Sequence, residues 1–142
     1  PIGDRYCTPG IPNSTGCPAA LRARGSVTLA LRDVRLEASS PPQGSAGYFL
    51  TSRAQGVVFP VDNSQGRFCL GGSVGRYVGP GQVQNSGSSG AFGIALDLAA
   101  MPTPTGPTVA LPGSTRRFQA WNRDANPTST SNVTDALSVT FQ

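Results

Sequence analysis

Apolar residues in this chain alternate with small or polar ones in short runs, and each run is soon stopped by glycine, proline or an Asn/Ser/Asp cluster. That rhythm constrains the fold more than any other feature, because a repeat of two puts one face of a strand toward a core and the other toward solvent. The clearest run is Ala91–Leu98, where Phe92, Ile94, Leu96 and Leu98 point one way and Gly93, Ala95 and Asp97 the other. Gly47–Ser52, Gln55–Val61, Arg67–Leu70, Val74–Val78, Thr115–Arg123 and Thr134–Phe141 read as further strands. In Ser26–Glu37 the apolar phase runs Val27, Leu29, Leu31 and shifts after Asp33 to Val34 and Leu36, which calls for a bulge or a turn into the next strand. Turn clusters at Ser39–Gly44, Asp62–Gly66, Gly79–Gly90, Met101–Pro107 and Pro112-Gly113 separate the runs. About eight short strands with turn signals at roughly 8–15-residue intervals predict an all-β chain, an antiparallel β-sandwich of jelly-roll type. No helix is required, although a short one fits Asp97–Met101. Residues 1–20 hold Pro1, Pro9, Pro12 and Pro18 and read as a loop-like N-terminal segment, packed on or extending from a β-sandwich over 21–142.

Composition removes several chemistries. The 142 residues include no histidine, and all 11 basic residues are arginine. There is therefore no imidazole base, no Ser-His-Asp triad, no His-ligated metal, no Schiff-base lysine and no P-loop lysine. No G-x-S-x-G elbow occurs either. These exclusions point to a non-enzyme. The 18 glycines and 13 prolines are roughly twice the usual share and fit a turn-rich β protein. The formal charge of +4 and pI near 9.5 come from scattered arginines, with only Arg22/Arg24 and Arg116/Arg117 close together. A scattered footprint argues against nucleic acid and for weak attraction to acidic polysaccharide or an anionic surface. No apolar run approaches the roughly 18–20 residues of a membrane span. The chain opens on Pro1 and reads as a mature or excised piece of a secreted product. Three cysteines fit an oxidising compartment and allow one bridge, Cys7–Cys17, Cys7–Cys69 or Cys17–Cys69, with one thiol left over.

Candidate functional residues concentrate in Trp121–Asn126. Trp121 is the only tryptophan, and Tyr6, Tyr48 and Tyr77 are the only tyrosines. An exposed aromatic platform stacks sugar rings, whereas a buried one is simply core. Phe118 and Trp121 are an odd number apart, so a regular strand sends them to opposite faces. The ligand-binding candidates are Trp121, Arg123, Asp124, Tyr77 and Arg76. Asp124 with Asn122 or Asn126 offers oxygens to calcium, against the plainer reading that these residues satisfy turn backbone. A hydrolase built on carboxylates alone needs two of the seven (Asp4, Asp33, Glu37, Asp62, Asp97, Asp124, Asp135) to face each other across a cleft. Surface solvation or arginine pairing is the simpler role. Asn13-Ser14-Thr15 and Asn132-Val133-Thr134 match the glycosylation sequon but also serve as turns.

Several ordered stretches resemble an uncharacterised family of modules near the C-termini of large secreted bacterial proteins. They are Tyr6-Cys7, Asn13-Ser14-Thr15-Gly16, Gly47-Tyr48-Phe49-Leu50, Ser64 to Gly72, Gly75-Arg76-Tyr77, Gly79-Pro80-Gly81-Gln82, Asn85-Ser86-Gly87, Phe118 to Asp124, and Thr130-Ser131-Asn132 with Thr134-Asp135. The resemblance covers almost the whole chain and implies an extracellular, terminal, non-catalytic module. It also implies a Cys7–Cys69 bridge with Cys17 as the spare thiol. Members carry aromatics where Arg116 and Asn122 stand, which implies a thinner aromatic strip in this chain. The expected role is binding, adhesion or assembly, on a glycan or other surface ligand. The alternative is self-association of copies into a surface layer or filament.

Overall fold

A computed structural model describes residues 1–60 and 63–142. Twelve strands run through them: β1 (Asp4–Tyr6), β2 (Ala20–Arg24), β3 (Arg35–Ser39), β4 (Ala46–Ser52), β5 (Ala54–Val58), β6 (Phe68–Gly71), β7 (Gly75–Arg76), β8 (Gln84–Asn85), β9 (Ala91–Ala95), β10 (Thr115–Ala125), β11 (Ser129–Val133) and β12 (Ala136–Thr140). A seven-stranded sheet has the order β1-β12-β10-β4-β7, with β11 beside β10 and β8 beside β4. A three-stranded sheet, β2-β3-β9, covers one face of it, and the β5-β6 ribbon packs on the other. Every pairing is antiparallel. The protein is thus an all-β antiparallel sandwich. Asp62, and Val61 at the end of one expected strand, lie outside the described residues.

The period-2 pattern builds the core. Leu21 and Ala23 of β2, Leu36 and Ala38 of β3, and Phe92 and Ile94 of β9 face Phe49 of β4, Phe118 and Ala120 of β10, and Leu137 and Val139 of β12. Phe49 and Phe92 meet edge to face across the two sheets, with ring centroids 5.2 Å apart. Each large side chain buried this way contributes about 1.5–3 kcal/mol. Leu96 and Leu98 continue the Phe92 phase past β9 and are buried too.

Some elements depart from the reading of the sequence. Val27–Leu31 is not a strand: Leu29–Leu31 forms a 3-10 turn, and the strands lie on either side of it. The cause is local. Gly25 has φ +105, and a Cβ there would stand 2.3 Å from the Asp33 carbonyl oxygen. The Asp33 carboxylate accepts the Ser26 N–H at 2.9 Å, and Arg32 takes a left-handed φ of 47. Together these close a loop between β2 and β3, so the phase shift at Val34 marks a turn. Residues 97–100 form turns rather than a helix, with the Asp97 carboxylate accepting the Ala99 N–H. The strand count exceeds eight because β2 precedes the expected first strand, β8 is too short to display a period, and β1 and β11 are largely polar.

The Pro-rich start of the chain is tied to the sheet. β1 pairs with β12, from Asp4 opposite Ser138 to Tyr6 opposite Ala136. Cys7 is disulfide-bonded to Cys69 of β6, and Cys17 is an exposed free thiol, as the resemblance implies. The Tyr6 hydroxyl donates to the Cys69 carbonyl at 3.0 Å. At the far edge of the sheet, β7 passes under the 101–103 loop so closely that a Cβ on Gly75 would lie 1.9 Å from the Pro102 carbonyl oxygen. Neither backbone yields cheaply. Gly75→Ala is expected to cost roughly 2–4 kcal/mol, read by urea denaturation; a loss below about 0.5 kcal/mol would show that the loop moves freely.

Candidate functional site

Strand β10 separates two environments by parity. Arg116, Phe118, Ala120 and Asn122 are buried beneath the three-stranded sheet, while Arg117, Gln119, Trp121 and Arg123 belong to the opposite face. Phe118 is wholly buried and Trp121 half-buried, so the odd spacing does send them to opposite sides. Arg116 and Asn122 share the inner face. Aromatics at those two positions would not extend a strip around Trp121.

Outward from the sheet, Gln119 acts as a clamp. Its side chain accepts the Cys69 N–H at 2.9 Å and donates to the Arg67 and Thr134 carbonyls, each at 2.8 Å. This fixes the 67–69 segment against β10 and sets Phe68 beside Trp121. Register does the rest. Trp121 stands directly opposite Tyr48 on β4 and Val133 on β11. The Tyr48 and Trp121 rings stack with centroids 5.0 Å apart and planes 30° apart. The Arg123 guanidinium lies 5.6 Å from the Trp121 ring centroid, within cation–π range.

Tyr48 and Trp121 line a cleft of about 430 Å³ together with Leu50, Phe68, Val133 and Arg76. The volume suits a small ligand, and an apolar floor with few polar groups is the usual make-up of a binding pocket. Among the described residues, its lining contains no carboxylate.

The candidate residues separate accordingly. Trp121, Arg76 and Arg123 come together on the outer face. Tyr77 does not: it follows Arg76 with the opposite side-chain direction, is only 1% exposed and packs in the core, where its N–H donates to the Phe49 carbonyl. Burial pushes its phenol well above the usual tyrosine range. Asp124 stands apart from the cleft. Its two carboxylate oxygens accept the Ser14 N–H at 2.9 Å and the Ala125 N–H at 2.8 Å. Asn122 is buried on the inner face, and Asn126 engages Thr128 and Gln65 through its backbone. Asp124 thus satisfies loop amides. Among the described residues, no group of three or more His, Cys, Asp or Glu is placed to hold a metal ion.

Other carboxylates are also engaged. Glu37 pairs with Arg24 and Arg35, Asp135 with Arg5, and Asp33 with the Ser26 amide. The sequon asparagines are buried structural donors: Asn13 to the Ser40 carbonyl, Asn132 to those of Ile11 and Pro12.

Tyr48 is the site residue that sequence reasoning missed. Its only sequence signal is phase: it alternates with Phe49, a core residue, and so has to face away from the core. Nothing local in the chain reveals that it meets Trp121.

Fold and cleft together define an antiparallel β-sandwich with a stacked aromatic site on its outer face. Compared with known proteins, the chain matches no family model, no curated protein and no solved structure.

Proposed function

We propose that this chain is a non-catalytic extracellular binding module that takes a saccharide into the Tyr48–Trp121 cleft. The observation that carries this reading is the stacked, half-exposed aromatic pair with arginine at its margin. The apolar C–H face of a pyranose ring packs on an indole or phenol face, while donors at the rim orient its hydroxyls. Arg76 and Ser64 are the donors at hand. The Cys7–Cys69 bridge is compatible with an oxidising compartment, and no helix among the described residues is long and apolar enough to cross a membrane.

Trp121 is the sole fluorophore of its kind, so its emission reports on the cleft directly. A glycan array should give hits, and titration with a hit should change Trp121 emission. Trp121→Ala and Tyr48→Ala should each weaken that binding by at least about tenfold, or 1.4 kcal/mol. An array with no hit above background sinks the saccharide reading.

A second reading is self-association into a layer or filament. It rests on Val57 (70% exposed), Val58 (52%) and Phe59 (56%), a bare apolar run at the end of β5 and just past it, where β5 pairs only with β6 among the described residues. Sedimentation velocity decides it, and a strict monomer at high concentration counts against it.

A further inference from the structure

At one end of the sandwich, Arg53 follows β4 and Arg116 and Arg117 open β10. Arg116 points to the inner face, is only 3% exposed, and its Nε has no hydrogen-bond partner. The ion pairs among the described residues are Arg5–Asp135, Arg24–Glu37 and Arg35–Glu37, so no described carboxylate neutralises Arg53 or Arg116. The two cations also oppose one another. Burial, and then the Arg53 charge, lower the pKa of Arg116. The buried Tyr77 hydroxyl, likewise without a partner, lies within electrostatic reach of Arg116. Arg117 is used differently, with its Nη1 donating to the Arg53 carbonyl.

Arg53 and Arg116 both line a cleft of about 510 Å³ between the 71–73 and 103–108 loops. The rest of its wall offers hydroxyls from Ser73, Thr103, Thr105 and Thr108 and, among the described residues, carries no acid. A pair of like charges, one of them under cover, opposes folding unless an anion joins them. The planar guanidinium fork fits the two oxygens of a carboxylate or sulfate, and charge-assisted bonds of that kind are the strong ones.

We propose that the Arg53–Arg116 cleft binds an oxyanion, the carboxylate or sulfate group of an acidic sugar. The arginines hold the anionic group, and the Ser/Thr wall faces the hydroxyls of the ring. The site shares no lining residue with the Trp121 cleft and does not depend on the saccharide reading given above.

Calorimetric titration with sodium glucuronate, sodium sulfate and neutral glucose, at ionic strength held constant with chloride, tests it. Glucuronate or sulfate should bind at least about tenfold tighter than glucose and raise the melting temperature. Binding by glucuronate alone assigns the site to uronates; binding by sulfate alone assigns it to sulfate esters. Arg53→Gln, at an exposed position, should weaken the anion by at least about tenfold without unfolding the protein. Arg116→Gln should abolish anion binding, and Arg116→Met should raise the melting temperature of the free protein. Trp121→Ala should leave anion affinity unchanged, so the two clefts fail or stand separately. The proposal is overturned if neither anion binds above the chloride control, or if Arg53→Gln binds the anions as well as the original chain.

Discussion

Replacing Cys69 by alanine is expected to lower the unfolding free energy by roughly 4 kcal/mol, within the usual range of about 2–5. The bridge joins residues separated by 62 positions, so it removes a large loop-closure entropy from the unfolded chain. It also joins the first strand of the chain to the ribbon on the outer face of the main sheet. Cys69 is wholly buried, so truncation adds a small packing loss. Urea denaturation in oxidising buffer checks the figure. Cys7→Ala should cost nearly as much, and the double variant little more than either, because both remove the same cross-link. A loss below about 1 kcal/mol for Cys69→Ala would show that the ribbon is held without the bridge. The clamp formed by Gln119 would then carry the 67–69 segment alone.

Asp135→Ala is expected to cost roughly 2–4 kcal/mol. Asp135 is fully buried and joins three parts of the chain. One oxygen accepts the Arg5 Nε at 2.7 Å and Nη2 at 2.5 Å; the other accepts the Leu21 N–H at 2.8 Å. Alanine leaves a buried amide on β2 without a partner and detaches β1 from its anchor. The cost stays below that of breaking a fully interior pair because the Arg5 side chain is 50% exposed and its charge returns to water. Arg5→Ala should cost a similar amount, since it leaves the buried Asp135 carboxylate without its cation even though the Asp135–Leu21 bond survives. A loss below about 1 kcal/mol for Arg5→Ala in chemical denaturation would show that water replaces the guanidinium and that the Leu21 amide bond carries the anchor.

Both predictions concern long-range ties, which are the features least visible in the chain itself. Alternation at Phe92, Ile94, Leu96 and Leu98 is a property of neighbours, and burial of all four follows from it. The same reasoning failed at Val27–Leu31, where the spacing is right but a side-chain bond from Asp33 and the close approach at Gly25 curl the segment into a turn. It also failed for Tyr77: the tyrosine count suggested a platform residue, while its place one step after Arg76 sends it inward. At Asp124 the loop amides of Ser14 and Ala125 engage the carboxylate, the turn role weighed against calcium.

The chain by itself determined the all-β class, the lack of imidazole and lysine chemistry, and the opposition of Phe118 and Trp121 on one strand. Each is local: composition, or a repeat of two. Tertiary structure alone decided that Tyr48 stacks on Trp121, that Asp135 finds Arg5 and Leu21, and that Arg116 lies covered beside Arg53 with no acid. The absence of a partner acid there holds among the described residues, and all three depend on sheet register and on loops folding over strand ends. Register is set by the summed packing of whole faces, so no short stretch of sequence carries it.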